Sequence, residues 1–168
     1  SLFQINDKIN GRINLSADRV NSKSNIIKSY ESRIKFENGS IFIEQFLFNL
    51  GKLGAADIIG TISTKKNLTK FHFENNIFID NLRYLSRKLG LYSDKTDPAN
   101  IFVSGNFDLI NLNLRLNEIS TENKMSNEDL IYIENEFNEL MFSKGYESFF
   151  NFYNFKEFIK LVTEETAN

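Results

Sequence analysis

The sequence predicts an α+β fold, mainly β: a curved antiparallel sheet with one apolar face, a short helix near 81–89, and two C-terminal helices that pack on the sheet or cap it. Three observations predict it. A strand phrase of alternating apolar and polar residues, punctuated by glycine, recurs as Ile9-Asn10-Gly11-Arg12-Ile13-Asn14-Leu15, as Asn38-Gly39-Ser40-Ile41-Phe42-Ile43, and at greatest length from Val103-Ser104-Gly105 to Leu116. Successive side chains of a strand turn to opposite faces, so Ile110, Leu112, Leu114 and Leu116 share one face and Asn111, Asn113, Arg115 and Asn117 the other. Asn-Gly pairs stand where hairpins turn. After Ser120 the apolar spacing lengthens from two residues to the helical period.

Taken in order, Leu2 to Ile9 and Ile13 to Val20 flank Asn10-Gly11 as a first hairpin. Lys28 to Glu37 alternates cleanly, with Tyr30, Ile34 and Phe36 opposed to Glu31, Arg33, Lys35 and Glu37, and Asn38-Gly39 turns it into Ile41 to Leu50. That run is apolar on both faces, as in a central or doubly covered strand. Ala55 to Thr64 and Leu68 to Asn75 follow, with Phe71 and Phe73 facing away from His72 and Glu74. Asp80 is placed to cap a helix from Asn81 to Leu89, closed by Gly90. Tyr92 to Asn100 is a polar loop, and Ile101 to Ile119 a long strand with a bend at Asn106 to Asp108. Ser126-Asn127-Glu128-Asp129 opens a helix whose Leu130, Ile133, Phe137, Leu140 and Met141 recur on one side until Lys144-Gly145. A second helix, Tyr146 to Thr163, carries a wide aromatic face including Phe149, Phe152, Tyr153 and Phe158. The chain divides into a sheet with its inserted helix over 1–119 and a helical hairpin over 120–168, in one structural unit.

Composition narrows the chemistry. With 168 residues, 41% hydrophobic and 25% charged, the chain suits one folded core. Its 17 Phe, no Trp and abundant Asn, Ile and Lys match an AT-rich coding sequence. A net charge of −2 supplies no basic field for nucleic acid, and the absence of Cys removes disulfides and thiolate metal sites. No run of about 18 apolar residues is present to span a bilayer as a helix. The opening Ser1-Leu2-Phe3-Gln4-Ile5, strand-like and without Met, reads as part of something longer with its targeting segment upstream.

Reactive constellations are weak. Nucleophilic catalysis needs a base within reach of the nucleophile, and the one histidine, His72, falls on the polar face of its strand as a solvated side chain. Asp94 with Asp97, and Glu128 with Asp129, lack calcium-loop spacing and read as turn and helix-start residues. Glu44, an acid inside the run Ile41 to Leu50, is the sharpest candidate for paired-carboxylate chemistry, and an edge or rim charge is the plainer account of it. Gly51-Lys52-Leu53-Gly54 lacks the phosphate-loop pattern and reads as a turn. Glycosylation-type triplets at Asn14, Asn38 and Asn67 are chance matches in an Asn-rich chain. The aromatic helix mixes Glu147, Glu157, Glu164 and Glu165 with Lys156 and Lys160, a charge pattern that suits packing on the sheet better than a membrane surface. These residues call for no catalytic group, cofactor or metal.

The phrases Asn10-Gly11-Arg12-Ile13-Asn14-Leu15 leading to Ala17-Asp18, then Ile34-Lys35-Phe36-Glu37-Asn38-Gly39, Leu53-Gly54-Ala55-Ala56 and Ile59-Gly60-Thr61-Ile62 resemble the C-terminal region of AsmA-like proteins, whose relatives include TamB and YhdP. The stretch from Phe73 through Asn81-Leu82 to Val103-Ser104-Gly105-Asn106-Phe107-Asp108-Leu109 is similar to the same region continuing, so the resemblance covers Ile5 to Ile119 and omits the terminal helices. It implies a non-catalytic segment of an envelope protein of Gram-negative bacteria, periplasmic and tethered to the inner membrane. It also implies a hydrophobic sheet groove for phospholipid acyl chains in lipid transport or outer-membrane homeostasis.

On that reading the groove floor consists of Ile13 and Leu15, Ile34 and Phe36, Phe71 and Phe73, and Ile110, Leu112, Leu114 and Leu116, provided the apolar faces of all these strands coincide. Its partners are acyl chains, other envelope proteins and, through the upstream segment, a membrane. A second reading is a closed α+β domain in which Glu128 to Phe142 and Tyr146 to Val162 cover the greasy face and the domain caps a longer envelope assembly or binds protein through its sheet edges. In an intermediate arrangement the helices plug one end of a groove. An enzyme built around Glu44 is the third.

Overall fold

A computed structural model describes residues 6–21, 26–65, 68–91, 96–145 and 152–165. The fold is α+β: a seven-stranded open antiparallel sheet in simple chain order, with three helices among the described residues. The strands are β1 (Gly11–Ala17), β2 (Ser29–Glu37), β3 (Ser40–Asn49), β4 (Gly54–Lys65), β5 (Leu68–Ile79), β6 (Ala99–Asp108) and β7 (Asn113–Ser120). The helices are α1 (Leu82–Leu89), α2 (Asn127–Lys144) and α3 (Phe152–Glu165).

The turn chemistry explains most of the order. Asn38 and Gly39, at φ 49° and 74°, form the two-residue hairpin between β2 and β3, a backbone that Asn and Gly tolerate without strain. Gly51–Leu53 is a short 3-10 turn between β3 and β4, as expected of Gly51-Lys52-Leu53-Gly54. Asn10-Gly11 is different. It makes no hairpin: Gly11 already pairs with Phe36, and the Asn10 side-chain carbonyl accepts the Asn38 backbone N–H at 3.1 Å. The chain before it bends at Asn6, whose carbonyl accepts the Ile9 N–H at 3.0 Å. Of the strand expected over Leu2 to Ile9, residues 2–5 lie outside the described residues and the remainder is not strand.

The long strand over Ile101 to Ile119 is a hairpin instead. Asp108 ends β6, and its carboxylate accepts the N–H groups of Ile110 (2.9 Å) and Asn111 (3.0 Å), which folds the chain back at 109–112. Leu112 sits in this turn at φ 55°. The expected bend at Asn106 to Asp108 therefore falls a few residues early.

Helix starts follow their caps. Asn81, rather than Asp80, caps α1 by accepting the Tyr84 N–H at 2.9 Å, and Gly90 closes it at φ 71°. Ser126 caps α2 through the Asp129 N–H at 3.1 Å, and Gly145 ends that helix. For the last helix the described part is Phe152–Glu165; Tyr146 to Asn151, with Phe149 and Phe150, lie outside the described residues, as do Tyr92 to Lys95 of the polar loop.

The core lies at one end of the sheet. Phe107, Leu114 and Met141 are buried together, with Phe71, Phe73, Leu116 and Phe137 packed around them. Phe137 of α2 meets Phe107 edge-on at 6.0 Å and Phe158 of α3 at 5.9 Å, which ties both helices to the β6–β7 end.

Candidate functional site: an apolar sheet face

Residues directly opposite in an antiparallel pair project to the same face, so the register assigns each side chain. Ile13 pairs with Ile34, Ile34 with Ile43, Ile43 with Gly60, Gly60 with Phe73, Phe73 with Gly105 and Gly105 with Leu116. One face thus runs unbroken across all seven strands. Leu15, Phe36, Phe71, Phe107 and Leu114 lie on it as well. The apolar residues singled out on β1, β2, β5 and β7 (Ile13, Leu15, Ile34, Phe36, Phe71, Phe73, Leu114 and Leu116) therefore share one surface. Ile110 and Leu112 are the exceptions: the Asp108 turn takes both out of the strand, leaving Ile110 46% exposed and Leu112 against the core.

Two bulges keep this face continuous: an extra residue in β3, which shifts its register against both β2 (at Arg33/Ile34) and β4 (at Ile43/Phe46), and one in β7 opposite Ser104/Gly105. The extra residue in β3 brings Phe46 and Phe48 onto the apolar face beside Ile41 and Ile43, while Glu44 stays on the opposite face, where it meets Arg12 at 3.1 Å. Glu44 is thus a bulge residue of an interior strand and not an edge charge. On that face a shallow trough of about 500 Å³ is lined by Glu44, Thr61, His72 and Glu74 together with Phe42 and Ile59, with His72 exposed to solvent.

Glycine punctuation has a packing reason on the apolar face. Gly60 and Gly105 stand opposite Phe73 on either side of it. A Cβ on Gly60 would run into the His72 carbonyl and the Phe71 ring, and one on Gly105 into the Arg115 carbonyl and the Phe73 ring. The phenyl rings thus lie over bare backbone, which keeps the floor low at the middle of the sheet.

Cover is uneven along the face. Over β6 and β7 the apolar side chains lie beneath α2, with Phe107, Leu114 and Met141 at 6%, 8% and 1% exposure. Over β1 to β4 the helices make no comparable contact. Ile13 and Leu15 are 45% and 50% exposed, and Ile34, Phe36, Ile41 and Ile43 are half-buried by their sheet neighbours. Tyr30, Phe46 and Phe48 form an aromatic group here, with ring centres 5.9 Å and 4.4 Å apart. Ser32, Thr64, Thr69 and Asn75 are the polar strand residues on this face; Asn75 lies between Ile58 and Val103, and its side-chain oxygen is buried without a hydrogen-bond partner.

The two sheet edges are treated differently, which sequence reasoning missed. At β7, Asn138 of α2 accepts the Leu114 N–H at 2.6 Å and donates to the Leu114 carbonyl at 3.1 Å. One turn earlier, Glu134 accepts the Leu116 N–H at 2.6 Å and the Arg115 guanidinium at 2.9 Å. These two side chains occupy the positions a further strand would fill, so α2 seals that edge. The i, i+4 spacing of Glu134 and Asn138 beside an apolar stripe is the one signal the sequence offers. At β1 no described residue pairs with the outer edge.

Comparison with family models, curated proteins and solved structures returns no match. The class that fold and site define is an open α+β sheet domain with one continuous apolar face, covered at its β6–β7 end by helices among the described residues. Among the described residues no helix is long and apolar enough to cross a membrane.

Proposed function

We propose that this chain is a non-catalytic segment of an AsmA-like envelope protein, and that the uncovered part of its apolar face carries phospholipid acyl chains. One observation carries the reading: the apolar face is continuous over seven strands, yet among the described residues the helices pack on its β6–β7 end and make no comparable contact with β1 to β4. Apolar floor left in water favours burial by about 0.8 kcal/mol per methylene, so an acyl chain laid along β1 to β4 gains substantially. On this reading the protein acts in the periplasm of a Gram-negative cell, held at the inner membrane by a segment upstream and working with other envelope proteins. Its role is phospholipid transport or outer-membrane homeostasis, and α2 and α3 close one end of the groove.

Leu112 and Leu114 are poor probes of this idea, because the first is in a turn and the second is beneath Met141. Phe36 and Lys35, neighbours on opposite faces of β2, are better. A photoreactive side chain at Phe36 is expected to capture phospholipid in cells and the same group at Lys35 to capture none; equal capture at both positions contradicts the proposal.

A second reading, a capping domain that binds protein, is favoured by the sealing of the β7 edge by Glu134 and Asn138. Protein adducts without lipid adducts from Phe36 select it.

A further inference from the structure

Among the described residues nothing pairs with the outer edge of β1, and that edge has a definite hydrogen-bond polarity. Glu37 and Ser40 close the two-residue hairpin, so the backbone groups of Glu37 point to β3 and, by alternation, those of Phe36, Ile34 and Ser32 point to β1. Their partners Gly11, Ile13 and Leu15 are consequently turned inward, and the Ser32 hydroxyl bond to the Leu15 carbonyl agrees with this. Arg12, Asn14 and Ser16 are left with N–H and C=O groups facing outward. β1 carries neither proline nor bulge, and six of its seven residues are exposed.

We infer that this edge pairs with the β1 edge of a second copy of the chain, antiparallel about a two-fold axis at Asn14. The three outward-facing residues form a self-complementary set: Asn14 meets Asn14 of the second copy, and Arg12 meets Ser16 in both directions. Every outward N–H and C=O group then finds a partner, and Arg12 faces a hydroxyl rather than a like charge. In the same register Ile13 lies opposite Leu15 of the other copy, on the apolar side. The two exposed side chains cover one another, and the apolar faces join into a single floor. Alternation forces this: any antiparallel pairing that places Asn14 against Asn14 puts like faces together. The interface is one strand wide, below the area of a standard stable complex, so the dimer is concentration-dependent. The pairing does not rest on the lipid reading, since only the edge is engaged.

The chain contains no cysteine, which makes the test clean. In a hydrogen-bonded antiparallel pair the Cα atoms stand about 5.5 Å apart, within disulfide reach. The full chain carrying Asn14→Cys is expected to oxidise to a covalent dimer about ten-fold faster than Ile13→Cys alone, while Ile13→Cys mixed with Leu15→Cys cross-links efficiently. Asn14→Pro removes only an outward N–H, so it is expected to keep the β-sheet circular dichroism spectrum and to sediment as a monomer where the parent protein dimerises. A parent protein that is monomeric at high micromolar concentration overturns the inference. So does an Asn14→Cys variant that cross-links no faster than Ile13→Cys. If Asn14→Pro is unfolded, the three cysteine variants decide the matter.

Discussion

At the scale of single residues, three side chains do work that their identity alone does not announce. Glu134, 5% exposed, and Asn138 satisfy backbone groups of β7 that no strand among the described residues reaches. Glu134→Ala orphans the Leu116 N–H and is expected to destabilise the fold by about 1–3 kcal/mol in urea denaturation, with Glu134→Gln, which retains an acceptor, losing less. Asn75 is the converse case: its oxygen is buried without a partner amid apolar neighbours. Asn75→Leu is therefore expected to be neutral or stabilising by about 1 kcal/mol in the same measurement. Neither role was legible in the sequence, because the partner of Glu134 is backbone, and a lone Asn on a strand does not say what it faces. His72, by contrast, was legible: alternation with Phe71 and Phe73 was enough to place it on the wet face.

Among the elements, period-2 alternation located the strands well and misled at one place. Ile110 and Leu112 continue the alternation of Leu114 and Leu116 through a turn, so the pattern hid the hairpin. Asp108, with Asn111 three residues on, was the available signal. Burial raises the Asp108 pKa, but hydrogen bonds from the backbone and side chain of Asn111 and from Ile110, with the charge of Lys70, prevail and hold it below the usual carboxylate value. A carboxyl whose folded pKa is depressed adds stability above its unfolded pKa and loses it as pH falls through the folded value. The protein is thus expected to lose stability between about pH 5 and pH 2, and Asp108→Asn to lose less over that range. The glycine phrase also resolves into distinct roles. Gly39 serves a turn; Gly60 and Gly105 serve close packing beside Phe73; Gly11 has open space where a Cβ would go. Gly60→Ala is expected to lower stability by about 1–3 kcal/mol and Gly11→Ala to leave it within about 0.5 kcal/mol.

For the whole molecule, fold class was readable because one apolar face over many short strands, followed by two amphipathic helices, admits few arrangements. What the sequence left open was how far the helices reach across that face. Leu114 and Phe107 lie under Met141, while Ile13, Leu15, Ile34 and Phe36 lie beyond α2. The groove reading and the closed-domain reading differ in what they place over the uncovered end of the same sheet. The decisive question is what meets the uncovered end, and the absence of Trp gives direct access to it. Ile34→Trp and Arg33→Trp place single indoles on opposite faces of β2. With phospholipid brominated along its acyl chains, the account predicts strong fluorescence quenching at Ile34→Trp and none at Arg33→Trp; equal quenching at the two positions, or none at either, would contradict it.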